Sequence, residues 1–268
     1  MSDQDRHAPA PLIVSDMDGT LLDHHSYDYT AALPALRRLR SAGIPLVLNT
    51  SKTVPETALW HARLELDAPY VVENGAALLG ADGALLQAWG RPRAELLAVL
   101  RDLRGRMGWR FESFDDLGVA GVQQHTGLSA EAARQALARG WSEPLRWLDG
   151  DDAIHEFKAL LERHDLQLLR GGRFFHVQGR HDKATPLPAL RAMLDRPLLV
   201  ALGDGQNDAA MLAAADVAVR VRSPVHPLPD IGAHARVIDT ASMGPAGWAE
   251  AIQQLFAQGL LRGGVDDE

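Results

Sequence analysis

Asp16 and Asp18 stand on either side of Met17 near the start of the chain, in the string PLIVSDMDGTLLD. An apolar run that ends in alternating acids is the pattern of a buried parallel strand carrying charge to its C-terminal end, where open α/β sheets place their ligands. Strand alternation puts both side chains on one side if the extended backbone continues, and Gly19 lets the chain turn away at once. Two acids aimed at one point repel each other. The spacing therefore calls for a cation, and oxygen donors favour a divalent metal ion.

Two further strings carry chemistry. An apolar run over residues 44–48 ends in Asn49, Thr50, Ser51, Lys52 and Thr53. Thr53 and Glu56 have capping-box spacing and Pro55 suits a first helical turn, so hydroxyls, an ammonium and a helix N-terminus collect at a second strand end, all suited to holding a phosphate. Later, His181, Asp182 and Lys183 precede a helix over 184–194, and a strand over 197–202 runs into Gly203, Asp204, Gly205, Gln206, Asn207 and Asp208. Again a buried strand delivers acids. The chain has only three lysines, Lys52, Lys158 and Lys183, and uses arginine elsewhere, so two of its three compact ammonium groups fall inside these strings. Acids, then hydroxyl plus lysine, then lysine plus acids is the constellation of phosphoryl transfer, which must hold and neutralise an anionic group and supply a nucleophile.

The elements that position these residues follow from periodicity. Residues 29–42 have helical spacing at Leu33, Leu36 and Leu39 with Gly43 as a stop; 70–73 is a third strand closed by Asn74 and Gly75; 76–79 and 84–87 form a hairpin. From about Trp89 the character changes. Helices are expected over 93–106, 130–139 and 152–164, a short strand around Trp109 and Phe111, and a hairpin of 166–169 with 173–177 around Gly171 and Gly172. There Arg173 and His176 set a cation and an imidazole beside a turn whose amides can hold an anion. Ser142, Glu143 and Pro144 read as a loop ending a helix. A strand over 217–221 and a helix over 248–258 close the chain. Helices with antiparallel strands between two halves of a parallel sheet give an inserted α+β domain, dividing the chain into 1–86, 87–181 and 182–268.

Composition excludes several classes. With no cysteine, disulfides, thiolate metal sites and thiol catalysis are unavailable. A net charge of -8 argues against a nucleic-acid surface. No apolar run approaches the roughly 20 residues that cross a bilayer, and the first residues lack an apolar signal core, so no membrane partner and a cytoplasmic location are expected. Oligomeric state is left open.

The string DMDGT resembles the first motif of the haloacid dehalogenase (HAD) superfamily, Thr50 matches its second, and Lys183 with GDGQND matches its last, GDxxND. The resemblance implies an α/β fold: a Rossmann-like HAD core with a parallel sheet plus an inserted α+β cap domain of type IIB. It also implies that Asp16 is the nucleophile of an aspartyl-phosphate mechanism and Asp18 its acid/base, with Thr50 and Lys183 on the phosphoryl oxygens. Mg²⁺ would be held by Asp16, the Asp18 backbone carbonyl and Asp204, with Asn207 and Asp208 in supporting positions.

DHHSY, TSKT, VVENGA, TGLS with SEP, GGRFFH with HDK, and MGPAGW are together similar to the mannosyl-3-phosphoglycerate phosphatase family. That similarity implies hydrolysis of a small phosphorylated sugar-glycerate to the glycosylglycerate, a compatible solute, with Ser51, Lys52, Arg173 and His176 at the substrate. GDGQND and HDKA stand where that family more often has GDSPND and HDKG. Another sugar-phosphate phosphatase, of sucrose-phosphate or broad hexose-phosphate type, and a phosphosugar mutase are the alternatives.

Overall fold

The computed structural model describes residues 10–170 and 174–262. The chain runs β1 (Pro11–Ser15), α1 (Leu33–Ser41, entered through a 3-10 turn at Thr30–Ala32), β2 (Leu46–Leu48), α2 (Val54–Arg63), β3 (Tyr70–Val72), β4 (Ala77–Leu79) and β5 (Leu85–Ala88). It continues through α3 (Arg93–Met107), β6 (Phe111–Ser113), α4 (Phe114–Thr126), α5 (Ala130–Leu137), β7 (Ser142–Trp147), α6 (Asp151–Arg163), β8 (Leu166–Arg170) and β9 (Phe175–Gly179). It ends with α7 (Leu187–Leu194), β10 (Leu198–Gly203), α8 (Ala209–Ala213), β11 (Val217–Arg222), β12 (Val237–Met243) and α9 (Gly244–Ala257).

Five strands form a wholly parallel sheet in the order β12-β11-β10-β1-β2. β1 is buried along its length because both faces are covered. Alternation sends Leu12 and Val14 to one face, where Leu187, Leu190, Met211 and Leu212 of α7 and α8 pack. Ile13 goes to the other, against Leu36 and Leu39 of α1 and Trp248, Ile252 and Leu255 of α9. β10 lies beside β1 in register, Ser15 opposite Leu202, so the acids that follow each strand emerge at the same end of the sheet. A parallel bridge from Asn49 to Val71 continues the sheet toward β3, which forms an antiparallel set with β4 and β5.

A second sheet is antiparallel, ordered β6-β7-β9-β8. One of its faces, with Phe111, Leu145 and Val177, packs on Leu96, Leu100 and Leu103 of α3 and Phe157 and Leu161 of α6. Leu169 and His176, paired across β8 and β9, alternate to the opposite face. α4 and α5 pack together through Phe114, Val122, Ala133 and Ala136.

Several sequence expectations are corrected. Ser142, Glu143 and Pro144 begin β7, an interior strand, rather than a helix-ending loop. The Glu143 carboxylate, buried there, accepts hydrogen bonds from Arg93 Nε at 2.5 Å and the Asp115 amide at 2.8 Å, which satisfies an acid that a strand assignment from pattern alone disfavours. α4 and β12 were not anticipated at all. α4 contains Gly118 at φ +57, a break in helical geometry that hides its period, while β12 is an edge strand with only two buried residues. The last helix starts at Gly244, earlier than the expected 248, and α7 at Leu187, later than the expected 184. The turn carrying Gly171, Gly172 and Arg173, and the tail from Gly263, lie outside the described residues.

Candidate active site

Asp16 leaves β1 with its backbone fixed from below. Trp248 Nε1 donates to Ser15 Oγ at 3.0 Å, and Ser15 Oγ donates to the Asp16 carbonyl at 2.7 Å. The Asp16 side chain meets Lys183, whose ammonium donates to Asp16 Oδ1 at 2.6 Å and to Asp208 Oδ1 at 2.5 Å and is 0% exposed. Asp208 Oδ2 accepts the amides of Asp204 and Gly205, so both its oxygens are occupied and it braces the loop after β10 and the lysine together. Thr20 Oγ1 donates to Asp204 Oδ1 at 3.0 Å. Gly19, at φ +83, lies so close that a Cβ there would stand 2.5 Å from Asp204 Oδ2; only glycine permits that approach.

Charge is concentrated in this cluster. Burial, and after it the Asp208 carboxylate, hold the Asp16 carboxyl well above its ordinary range against the pull of Lys183. Burial and Asp208 likewise push Asp204 up to about 6. Burial alone would lower the Lys183 ammonium, but Asp16 and Asp208 outweigh it and keep it above the usual lysine value. Carboxylate oxygens of Asp16, Asp204 and Asp208 lie within 4.8 Å of one another. Buried acids that resist ionisation, with oxygen the only donor type, suit a hard divalent cation.

Asp18 sits two residues beyond Asp16. Its Oδ2 lies 2.8 Å from Lys52 Nζ, while Oδ1 is buried without a hydrogen-bond partner. Lys52 is thus paired with an acid of the core, and its ammonium also stands 4.9 Å from the ring centre of Tyr27. Burial would lower the Lys52 ammonium, but Asp18, Glu56 and Tyr27 hold it up. Thr50, buried at the end of β2, accepts the Lys52 amide on Oγ1 at 3.2 Å. Thr53 closes the expected capping box with Glu56, and its hydroxyl lies 2.9 Å from the Gln135 carbonyl, so it serves the helix end and α5.

A cleft of about 660 Å³ opens over these groups, lined by Asp16, Asp18, Ser51, Asp204 and Asn207 from one side and His176 from the other. His176 Nδ1 is sealed and unpartnered, and burial, then the Arg139 charge, push the ring down to about 3. It is neutral in the folded chain and takes a proton below about 6.5 on unfolding. Native stability therefore falls as pH drops from about 6.5 toward 3, by at most about 1.4 kcal/mol per pH unit. A His176→Gln variant is expected to lose that share of the acid sensitivity in thermal unfolding between pH 7 and pH 5; an unchanged pH slope would remove His176 as its source.

Three residues at the joint between the two sheets were missed. Glu73 and Asn74 (φ +49 and +59) precede Gly75 (φ +90), a run of left-handed backbone at the end of β3. The Glu73 carboxylate accepts the Gly140 and Trp141 amides at 2.7 and 3.1 Å and the Ser142 hydroxyl at 2.6 Å, and Arg139 Nη1 donates to the Ser51 carbonyl at 3.3 Å and to Ser142 Oγ at 2.9 Å. Asn74 lines the cleft with Oδ1 unpartnered. Its place after a third strand, equivalent to those of Asp16 and Thr50, was the available signal. Arg170 and His226 also line the cleft and had no sequence signal of their own, and His24, inside the DHHSY string, lines it with them. Asp16, Asp18, Ser51, His176, Asp204 and Asn207 thus share the cleft, Lys183 and Asp208 meet beside Asp16, Lys52 pairs with Asp18 and Thr50 meets the Lys52 amide, while Arg173 is outside the described residues.

Residues 13–103 match the family model of haloacid dehalogenase-like hydrolases. Solved structures share the fold over almost the whole chain. A protein from Thermoplasma acidophilum has 16% identity and a TM-score of 0.69, covering 92% of this chain and 99% of its own. BT1666 from Bacteroides thetaiotaomicron, described among phosphatases of the haloalkanoate (HAD) enzyme superfamily, has 20% identity and a TM-score of 0.68, covering 94% and 96%. A haloacid dehalogenase-like hydrolase from B. subtilis has 20% identity and a TM-score of 0.65, covering 91% and 99%. The chain has an α/β fold of HAD type, with a parallel central sheet. Among the described residues no helix is long and apolar enough to cross a membrane.

Proposed function

We propose that this chain is a Mg²⁺-dependent phosphatase, a core of residues 1–86 and 182–268 carrying a type IIB cap of residues 87–181, that releases phosphate from mannosyl-3-phosphoglycerate or its glucosyl analogue. The observation that carries the phosphatase reading is the buried Lys183 ammonium bridging Asp16, just after β1, and Asp208, in the turn that follows the adjacent β10. It leaves the second Asp16 oxygen for attack on phosphorus. The similarity of motifs along the sequence supports the substrate, and the cleft volume, inside the range of about 300–1,000 Å³ typical of small-molecule sites, supports a leaving group well beyond a phosphate in size.

In this mechanism Asp16 bonds to phosphorus as the bond to the leaving alkoxide breaks, and Asp18 gives that alkoxide a proton. Lys52 donates to Asp18 Oδ2 and so leaves the unpartnered Oδ1 as the oxygen that carries the proton. Asp18 then takes a proton from the water that attacks the aspartyl-phosphate, freeing Asp16. Thr50 already accepts the Lys52 amide, so its own hydroxyl proton is available to a phosphoryl oxygen, with Lys183 alongside. A Mg²⁺ ion would be held by Asp16, the Asp18 carbonyl and Asp204, supported by Asn207 and Asp208, and supplies neutralisation of the phosphoryl charge.

A phosphate-release panel tests the reading. With Mg²⁺, mannosyl- or glucosyl-3-phosphoglycerate is expected to be cleaved at least about tenfold more efficiently than simple hexose phosphates, and a chelator is expected to abolish release. Equal or better turnover of hexose phosphates would overturn the substrate, and transfer that depends on a bisphosphate activator would mark a mutase.

A further inference from the structure

Asn74 holds a position in the cleft that the phosphoryl chemistry leaves unused. Its backbone follows β3 at φ +59, a left-handed conformation that asparagine adopts more readily than most residues, and its amide donates to the Thr50 carbonyl at 2.9 Å. The residue is thereby tied to the strand end that carries the phosphate-holding hydroxyl. It is 6% exposed and lines the cleft together with Ser51 and His176.

The orientation of the Asn74 side-chain amide follows from its partners. His176 and Gln178 alternate to the same face of the second sheet, so Gln178 stands one step along β9 from the imidazole in the cleft. Gln178 Nε2 donates to the His181 carbonyl at 3.0 Å, an oxygen that can only accept, and this turns Gln178 Oε1 toward Asn74. That oxygen also can only accept, so Asn74 presents Nδ2 to it, at 3.4 Å. The two acceptors thus decide which end of the Asn74 amide is which. Oδ1 is left over, buried and without a hydrogen-bond partner among the described residues. A carboxamide oxygen held this way is selective: it repels the oxygens of phosphate or carboxylate and takes a hydrogen from a donor. In a sugar or polyol phosphate those donors are hydroxyls.

We infer that Asn74 is a specificity-determining residue for a hydroxyl on the leaving group, its Oδ1 accepting that hydroxyl's hydrogen while Gln178 holds its amide in place. The inference rests on the phosphatase reading above and deepens it. It sets one neutral contact of the leaving group on the core side of the cleft, next to the strand end that holds the phosphate.

The test uses a matched pair of phosphate esters, sorbitol 6-phosphate and n-hexyl phosphate, which share a carbon chain and differ in its hydroxyls. Phosphate release with Mg²⁺ is measured for the unaltered chain, for Asn74→Gly, which tolerates the left-handed backbone, and for Asn74→Asp, which keeps an acceptor. The unaltered chain is expected to favour the hydroxylated ester, and Asn74→Gly to lose about tenfold of that preference, the range of one neutral hydrogen bond to an otherwise unsatisfied acceptor, with the loss in KM rather than kcat. Asn74→Asp is expected to keep part of the preference while turning over both esters more slowly, because its charge opposes the approaching phosphate. No preference in the unaltered chain, a preference unaltered in Asn74→Gly, or its complete loss in Asn74→Asp would overturn the inference while leaving the phosphatase standing. If the unaltered chain releases no phosphate from either ester or from the glycosyl-3-phosphoglycerates, the phosphatase reading itself fails. The same pair titrated calorimetrically into the unaltered chain and Asn74→Gly then still decides whether Asn74 discriminates the hydroxyls; a difference in affinity that is absent from the unaltered chain, or unchanged in the variant, would overturn the inference there too.

Discussion

Asp16→Asn is expected to reduce phosphate release by about 10⁴- to 10⁶-fold while the protein remains folded. The amide matches the carboxylate in shape, so Lys183 keeps an acceptor at that position and retains its full ion pair with Asp208. What disappears is the nucleophile. The accompanying stability effect has a defined sign. Burial and Asp208 raise the Asp16 carboxyl above its ordinary range, so the folded chain holds that proton more tightly than the unfolded chain does. Stability contributed by this group is therefore present at low pH and is lost as pH rises through its raised pKa. Asparagine removes that loss, and in metal-free buffer at pH 7 the variant should unfold at the same temperature as the parent or higher. Retained turnover would refute Asp16 as nucleophile; a collapse of thermal stability would show that its charge is structural.

Lys183→Met is expected to be the more damaging change to the fold. The lysine is fully buried between two carboxylates, and among the described residues no other Lys or Arg forms an ion pair with Asp16 or Asp208. Breaking a buried ion pair by deleting one partner costs about 3–5 kcal/mol, because the remaining charge has lost both water and counter-ion. For a chain of this size that lowers the unfolding temperature by roughly 10 °C. Pairing the substitution with Asp208→Asn should recover a large part of the loss, since it removes one of the stranded acids; a double variant no more stable than Lys183→Met alone would show that the cost lies in packing. Activity is expected to fall in both, as the phosphoryl group would lose its fixed cation.

The residues of these two predictions were legible in the sequence because Asp16 and Asp208 follow apolar runs and Lys183 shortly precedes a helical pattern, so local pattern is enough to single them out. Thr50 was legible for the same reason. Thr53 was half legible: its capping box formed, but its hydroxyl faces α5, a contact set by tertiary packing. β7 was misread because Ser142, Glu143 and Pro144 carry turn chemistry, and their strand depends on Arg93 satisfying Glu143 from another element. α4 was hidden by Gly118 and Gly121 inside its period. Arg170 and Asn74 were missed because what defines them is the cleft they share, which exists only after distant strands have been brought together.

The central sheet also has a consequence for the order in which the molecule assembles. Its middle pair joins Pro11 to Leu198, so β1 waits for a partner synthesised long after it. Closing so large a loop carries an entropic cost that slows nucleation. The sheet of β6, β7, β9 and β8 needs only residues between Phe111 and Gly179 and is complete before β10 exists. Once folded, it turns most of the intervening chain into a compact body and shortens the effective loop that β1 and β10 must close. Folded first, that sheet brings β1 and β10 closer together, and a newly made chain that ends before Lys183 carries Asp16 with neither its lysine nor a finished parallel sheet to shelter it.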